Sequence, residues 1–262
     1  MSTAGHHLAT MRDTAPLVHN ITNYVAMNVM ANVQIAAGAS PAMVHALEEA
    51  AEFAAIAQAL SVNIGTADPT WGRAMVEAAM VMTGAGRPWV LDPVAVGATA
   101  FRRELGARLV ALRPTVVRGN ASEILALSGQ AATARGVDAQ DDVTAAQAAA
   151  RALAHETGGV VAVTGAQDYV TDGHRAMTVS NGHPMMARVT VMGCSLTGVV
   201  AAFCVGQPAF EATTAALAYY GLAGEHAANG AAGPGSFQVR FLDALYALTP
   251  RDLDAGARIV AA

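Results

Sequence analysis

The chain of 262 residues contains no lysine, because all 15 of its basic residues are arginine. Without an ε-amine the protein cannot form a lysine Schiff base or build a GK[ST] phosphate loop, which excludes pyridoxal-type chemistry, lysine-dependent aldolases and Walker-type nucleotide sites. Charge is scarce as well: charged residues make up 13% of the chain and the net charge is −5. Since a protein that neutralises a run of phosphates needs a basic surface, we expect no nucleic acid partner.

Long apolar runs and cysteine are also lacking. No stretch approaches the roughly 20 unbroken apolar residues of a membrane span, and the first residues, MSTAGHHLATMRDTAP, contain no signal-peptide core. The two cysteines, Cys194 and Cys204, would lie about 15 Å apart on one helix, beyond disulfide reach. We therefore expect a soluble, cytoplasmic protein without a membrane partner, in which residues 1–15 form a flexible N-terminal tail.

Hydrophobic residues are abundant, at 53% of the chain, and suffice for a sizeable core. Short β-branched runs alternate with alanine-rich stretches, which predicts an α/β fold with a mostly parallel sheet. No linker or repeat divides the chain, so we expect a single domain over 1–262. The predicted strands span 60–65, 88–94, 115–120 and 159–165, with a hairpin over 168–180. The predicted helices span 22–37, 46–58, 69–84, 99–112, 143–156, 193–205, 208–229 and 236–247, with a break at 233–237.

Two acidic residues follow successive predicted strands. Asp92 lies in VLDPVAVGAT and Glu123 in VRGNASEI, so both carboxylates reach the sheet edge where α/β proteins bind ligands. Magnesium is held by one or two carboxylates together with water and phosphate oxygens. The pair therefore indicates a magnesium site beside a phosphate. The alternative for Asp92, left open by the sequence, is that it caps a turn.

Arg118 and Thr164 end two further strands. A guanidinium at the end of a buried strand needs an anionic partner, and either a phosphate or a structural acid would serve. Thr164, in AVTGAQD, offers a hydroxyl beside the flexible Gly165. Both residues are candidates for a phosphate site.

The stretch ARVTVMGCSLTGVVAAF, residues 187–203, leads from a β-like segment through Gly193 into an apolar helix. Free N–H groups and the positive end of the helix would converge at Gly193 and Cys194, which predicts a site for a phosphate or an oxyanion. We expect a thiol there to have a lowered pKa and to accept a proton. The alternative is that Cys194 is a small buried hydrophobe.

The segment 16–43, PLVHNITNYVAMNVMANVQIAAGASPAM, is rich in asparagine where this chain elsewhere uses alanine. Asn23 could cap the predicted helix or bind a ligand. Met43, which follows Pro41, belongs either to the core or to the wall of a ligand site.

Taken together, seven segments resemble the hydroxyethylthiazole kinase family of the ribokinase-like superfamily. They are PLVHNITN with GASPAM, LSVNIGT, VLDPVAVGAT, VRGNASEI, AVTG, VTVMGC and GPGSFQ, in order from residue 16 to 238. The resemblance implies a ribokinase-like fold with helices on both faces of the sheet, and a homotrimer with active sites at subunit interfaces. It also implies transfer of the γ-phosphoryl group of ATP, with Mg²⁺, to the hydroxyl of 4-methyl-5-(2-hydroxyethyl)thiazole in thiamine salvage.

The same resemblance implies roles for individual residues. Asp92 and Glu123 would position Mg²⁺, Arg118 and Thr164 would contact ATP, and Met43 and Asn23 would help to form the thiazole pocket. Cys194 stands where related kinases carry an aspartate base. The backbone N–H groups of Val191, Met192, Gly193 and Cys194 would form the anion hole.

One segment departs from the family pattern. Many members read Gly, a small residue and then Gly-Cys, whereas this chain reads Val191, Met192, Gly193, Cys194. A valine restricts positive φ and adds bulk where the first glycine approaches the substrate, and we expect Val191 to lie against the substrate. Other readings stay open: a kinase for hydroxymethylpyrimidine or another small alcohol, an ATP-dependent dehydratase of hydrated nicotinamide cofactors, a cysteine hydrolase using His183, and a non-catalytic binding module.

Overall fold

A computed structural model describes residues 3–129 and 139–262. The nine strands are β1 (Leu17–Ile21), β2 (Ser40–Met43), β3 (Ala59–Asn63), β4 (Trp89–Asp92), β5 (Val116–Asn120), β6 (Val160–Thr164), β7 (Asp168–Thr171), β8 (Ala176–Val179) and β9 (Ile259–Ala261). The helices of the described ranges are α1 (Ala4–Thr14), α2 (Met27–Ala37), α3 (Leu47–Ile56), α4 (Pro69–Gly84), α5 (Ala100–Ala111), α6 (Ala121–Leu127), α7 (Ala139–Thr157), α8 (Met192–Phe203), α9 (Ala209–Ala228), α10 (Pro234–Ala247) and α11 (Pro250–Gly256), with a 3₁₀ helix at Pro184–Arg188.

The strands form one sheet in the order β2-β1-β3-β4-β5-β6-β7-β8-β9. Strands β1 to β6 are parallel, and β7, β8 and β9 extend the sheet with antiparallel pairs. The predicted mostly parallel α/β sheet is confirmed, and so is the hairpin formed by β7 and β8.

Helices cover both faces of the sheet because successive side chains of a strand point to opposite sides. Val90 and Val116 pack on the face covered by α8 and α9. Their neighbours Leu91 and Val117 pack on the other face, against α4 and α7. Such strands, buried on both sides, read as continuous apolar runs, which is why the sequence revealed them.

The structure corrects several expectations at the N-terminal end. Residues 4–14 are not a tail, because they form helix α1, in which Leu8 and Met11 are fully buried. The predicted helix 22–37 begins only at Met27, and the segment before it contains strand β1. Strand β2 was not predicted either, since it is short and contains a proline.

Towards the C-terminus, helix α10 begins at Pro234, inside the predicted break at 233–237. Proline suits the first position of a helix, where its missing N–H has no partner to lose. Helices α6 and α11 and strand β9 were also not predicted. No helix among the described residues is long and apolar enough to span a bilayer.

Candidate active site

The candidate residues gather where the parallel strands end at their carboxyl side. Asn63 of β3 is paired in register with Asp92 of β4, and Asn120 of β5 is paired with Thr164 of β6. Arg118 lies two residues before Asn120 on the same strand. Four of the predicted strands therefore deliver their polar side chains to one edge of the sheet.

Asp92 is the centre of a buried polar network. Its carboxylate is 1% exposed, and Oδ2 accepts hydrogen bonds from Asn63 Nδ2 at 2.8 Å and from Thr197 Oγ1 of α8 at 2.9 Å. The other oxygen, Oδ1, is buried with no partner among the described residues. Burial raises the pKa of Asp92, and the nearby Arg118 guanidinium opposes that shift.

Arg118 links this network to the next strand. Its Nη1 lies 3.5 Å from Asp92 Oδ2, and its Nη2 donates to Thr164 Oγ1 at 2.7 Å. Its Nε is buried without a partner in the part of the chain that the structure describes. Asp92 is therefore the structural acid that the sequence offered as one possible partner of Arg118. Arg118 still retains one donor, Nε, that Asp92 does not use.

Glu123 holds the loop that follows β4. Its Oε2 accepts from the backbone N–H of Asn120 in a capping box at the start of α6, and its Oε1 accepts from the N–H of Ala95 at 3.0 Å. The charge of Glu123 contributes to the raised pKa of Asp92, so the two carboxylates interact. The described residues contain no group of three or more metal-ligating side chains.

A magnesium ion needs few protein ligands when phosphates supply the rest. Asp92 has a free carboxylate oxygen, and two interacting carboxylates favour a cation between or beside them. The pair fits a magnesium ion bound partly through water. Glu123 is less free for this role than the sequence suggested, since both of its oxygens already accept backbone hydrogen bonds.

The start of α8 contains a strained residue. Val191, the residue before the helix, has φ of 75° in the left-handed region, where side chains that branch at Cβ are rare. No side chain caps this end, so the first N–H groups of the helix are available to a ligand. The valine was expected to disfavour a positive φ, yet the backbone adopts the conformation that a glycine would take.

Gly193 lies close beneath the neighbouring arginine. A Cβ atom at this position would lie 3.0 Å from both Nη1 and Nη2 of Arg118. The guanidinium therefore lies directly over the first turn of α8. A cationic side chain and the positive end of a helix meet at the same place, which is the chemistry of an anion site.

Cys194 is connected to this network through Asn23. Asn23 Nδ2 donates to Cys194 Sγ at 3.3 Å and to Asn63 Oδ1 at 3.0 Å. Burial and the charge of Asp92 raise the pKa of the thiol, although Asn23, Asn63 and Arg118 favour the thiolate. The expected lowering of the pKa was therefore wrong, because burial of the thiol, together with the charge of Asp92, outweighs the groups that favour the thiolate.

Asn23 stabilises the turn before α2 and also belongs to the polar network. Its Oδ1 accepts from the N–H of Ala26 in the turn before α2, while its amide nitrogen makes the two contacts described above. Met43 ends the edge strand β2, paired with Asn20 of β1. Strand β2 lies directly beside β1, which leads into the segment that contains Asn23, so Met43 ends at the same edge of the sheet as that residue.

A cavity of about 780 Å³ adjoins Arg118, Thr164 and Gly193, a volume within the range of small-molecule sites. Sequence reasoning missed several of its lining residues, which are Asp168, Asn181, Met186, Arg188 and Tyr220. Asp168 follows AVTG by three residues and accepts from the N–H of Gly165 at 2.9 Å, and burial raises its pKa to about 6. Its place after a strand with a polar end was the available signal.

The comparisons with known proteins agree with this geometry. The model of the hydroxyethylthiazole kinase family matches residues 8–251. This chain belongs to the hydroxyethylthiazole kinase family. A hydroxyethylthiazole kinase of Cereibacter sphaeroides is 66% identical over all of both chains. One of Rhizobium leguminosarum is 59% identical, over 100% of this chain and 98% of its own.

Solved structures agree with the family and the fold. The hydroxyethylthiazole kinase of Pyrococcus horikoshii superposes with a TM-score of 0.91 at 40% identity, covering 99% of this chain and 98% of its own. A pyridoxal kinase of Staphylococcus aureus, in complex with AMP-PCP and pyridoxal, has a TM-score of 0.60 at 16% identity, covering 80% and 88%. The ribokinase-like fold predicted from the resemblance is confirmed.

Membership of a kinase family narrows the alternatives that the sequence left open. A cysteine hydrolase would need a base beside Cys194, and His183 instead accepts with Nδ1 from the N–H of Met185 on the 3₁₀ helix. No described contact joins His183 to the thiol. The hydrolase and the non-catalytic binding module therefore receive no support from this family's site.

Proposed function

We propose that the protein is an ATP-dependent kinase that phosphorylates the hydroxyl of 4-methyl-5-(2-hydroxyethyl)thiazole in thiamine salvage. The observation that carries this proposal is a continuous chain of contacts. It runs from Cys194 through Asn23, Asn63 and Asp92 to Arg118 and Thr164. It links the thiol at one end to the arginine beside a cavity of nucleotide size at the other. All of these residues lie within the span that the family model matches.

The nucleotide would bind at the Arg118 end of this chain. Arg118 and Thr164 would contact its phosphates, with Arg118 Nε as an unused donor. The N–H groups from Val191 to Cys194 would form the anion hole, where charge that develops during phosphoryl transfer is stabilised by fixed dipoles.

Asp92 and Glu123 would hold a magnesium ion at the strand ends. When bound, Mg²⁺ would neutralise phosphate charge that Arg118 alone cannot balance. Asn63 and Thr197 would keep the Asp92 carboxylate in one orientation through their hydrogen bonds to Oδ2. The second oxygen then stays available.

Cys194 would be the catalytic residue at the acceptor end. The acceptor oxygen attacks the γ-phosphorus, the bond from that phosphorus to the β–γ bridging oxygen breaks, and ADP leaves. The hydroxyl proton passes to Cys194 Sγ in the thiolate form. Because the pKa of the thiol is raised, the thiolate is a minor species near neutral pH, and positioning of the two substrates supplies most of the acceleration.

The acceptor pocket would be formed by Asn23 and Val191 of one protomer. Met43 ends β2 beside Asn20 of β1 and would line the same pocket, which a neighbouring subunit of a homotrimer would complete. The exposed Tyr24 and Val25, next to Asn23, support an interface at this end. The protein would act as one domain in the cytoplasm, in agreement with its two free cysteines.

The deciding experiment measures ADP release from magnesium-ATP with hydroxyethylthiazole as acceptor. Hydroxymethylpyrimidine, hydrated NADH and a sample without acceptor run beside it. We expect ADP release that depends on the thiazole, together with the thiazole phosphate as product.

Other outcomes would redirect the proposal in definite ways. Release with the pyrimidine alone would mean that Val191 and Met192 have reshaped the acceptor end. Turnover of hydrated NADH without a phosphorylated product would indicate the dehydratase. No ADP release with any acceptor would refute the kinase assignment for this chain.

A further inference from the structure

The nucleotide cavity has a second arginine on its wall. Arg188 is the last residue of the 3₁₀ helix, and it lines the same cavity as Arg118 and Gly193. Its side chain is exposed, and it makes no hydrogen bond or ion pair with any residue that the structure describes. A charged side chain that lines a cavity without a partner is available to a ligand.

Charge balance in the cavity distinguishes the two arginines. Arg118 already lies beside the Asp92 carboxylate, so much of its charge is compensated within the protein. Of the two arginines among the described residues that line the cavity, Arg188 is thus the one with no acidic partner.

The position of Arg188 in the chain fixes the part of the ligand that it can reach. Val191, where the anion site at the start of α8 begins, follows only three residues later, so their Cα atoms are at most about 11 Å apart. Arg188 ends a 3₁₀ helix of which Pro184 and Met186 also line the cavity. Arg188 is therefore within reach of a phosphate bound at the start of α8.

We propose that Arg188 binds the polyphosphate of the nucleotide, as a clamp on the wall of the cavity that also contains Arg118. This inference rests on the proposed function, because it assumes that the cavity holds a nucleoside triphosphate. A triphosphate carries more negative charge than Arg118 can balance, and a guanidinium binds phosphate oxygens through paired N–H donors. In a chain without lysine, arginine is the residue that can fill this role.

Calorimetric titration with AMP-PCP and with adenosine, in magnesium buffer, tests the clamp without any acceptor. Arg188→Ala should weaken binding of AMP-PCP about tenfold, the equivalent of about 1.4 kcal/mol, and leave binding of adenosine within about twofold. The AMP-PCP affinity of Arg188→Lys should lie between those of Arg188→Ala and the original protein. An ammonium retains the charge but lacks the paired N–H donors of a guanidinium.

Arg73→Ala is the matched control. Arg73 is an exposed arginine of α4 with no described ion pair, on the other side of the sheet from the cavity, so its removal should leave both affinities unchanged. Equal AMP-PCP affinity in Arg188→Ala and the original protein would overturn the clamp alone. An equal loss for adenosine would overturn it too, by showing that Arg188 acts on the nucleoside. Failure of the original protein to bind AMP-PCP would refute the proposed function itself.

Discussion

Val191 is a β-branched residue at a backbone conformation that suits glycine. The left-handed region costs an ordinary residue about 1–2 kcal/mol, because Cβ approaches the following carbonyl oxygen. Val191 is 8% exposed and belongs to neither of the two apolar clusters that cover the sheet. The strain is therefore located at the proposed acceptor end, where backbone strain often accompanies function.

Two substitutions at this position isolate the strain. Val191→Ala removes the branched side chain and keeps the left-handed strain, whereas Val191→Gly removes both. We expect the glycine variant to be more stable than the alanine variant by about 1 kcal/mol in chemical unfolding, the reverse of the usual order. A more stable alanine variant would show that residue 191 is not held at positive φ.

Cys194 should reveal its role in the pH dependence of turnover. Since burial and Asp92 raise the pKa of the thiol, the thiolate fraction, and with it kcat, should rise as the pH increases into the range above that of an ordinary thiol. Cys194→Ala should retain measurable activity, because the helix N–H groups survive, and should lack this rise.

Asp92→Ala provides the contrast for the cysteine variant. It removes the carboxylate on which the network is centred and should lose most of the activity. The assignment of roles would be wrong if Cys194→Ala were inert while Asp92→Ala behaved normally. It would also be wrong if both kept the alkaline rise.

At the residue scale, the sequence drew attention to side chains that follow a recognisable strand. Asp92, Arg118 and Thr164 were selected in this way, and the structure places Arg118 in contact with both of the others. Asn63 and Thr197 escaped, although both donate to Asp92, because their role depends on contacts between segments distant in the chain. A single asparagine or threonine carries no local signal of such a partner.

At the scale of elements, the strands buried on both faces were predictable, and those at the margins were not. Strand β1 contains His19 and Asn20, which are fully buried but polar, so its apolar pattern is interrupted. Strand β2 has the sequence SPAM, with a proline that an edge strand tolerates. Helix α1 was taken for a tail because its apolar residues are few, and its packing against α9 and α11 is a tertiary effect.

The contact between α2 and α8 depends on the absence of a side chain at Gly198. A Cβ there would lie 2.3 Å from Gln34 Nε2, and this buried amide donates to Asn20 Oδ1 at 2.9 Å. We expect Gly198→Ala to lower the free energy of unfolding by about 1–3 kcal/mol, through overpacking and a disturbed hydrogen bond. Thermal or urea unfolding measures this change.

Gly84→Ala is the control for a glycine within a helix. Gly84 is the last residue of α4, and nothing lies within 4 Å of a Cβ added there. Alanine should therefore be neutral or stabilising by up to about 1 kcal/mol. Equal destabilisation by both substitutions would mean that the close approach of α2 and α8 does not explain the requirement for glycine.

For the whole molecule, the proposed assembly is a homotrimer with shared sites. Sedimentation should then give a particle of about 80 kDa, three times the 26.6 kDa chain. Val25 is 61% exposed beside Asn23, and Val260 is 63% exposed on strand β9. Val25→Asp should dissociate the assembly and reduce activity, while Val260→Asp should change neither. A fully active monomer would contradict the shared site.

The oxygen Oδ2 of Asp92 is shared by the two halves of the site. On one side it accepts from Asn63, which holds Asn23 and through it Cys194, and on the other it faces Arg118. A nucleotide that fixes the position of Arg118 should therefore also restrict the side chains of Asn63, Asn23 and Cys194. A bound thiazole should restrict Arg118 in the same way. The two affinities should then be thermodynamically linked, and linkage is reciprocal: AMP-PCP should tighten binding of the thiazole by the same factor by which the thiazole tightens binding of AMP-PCP.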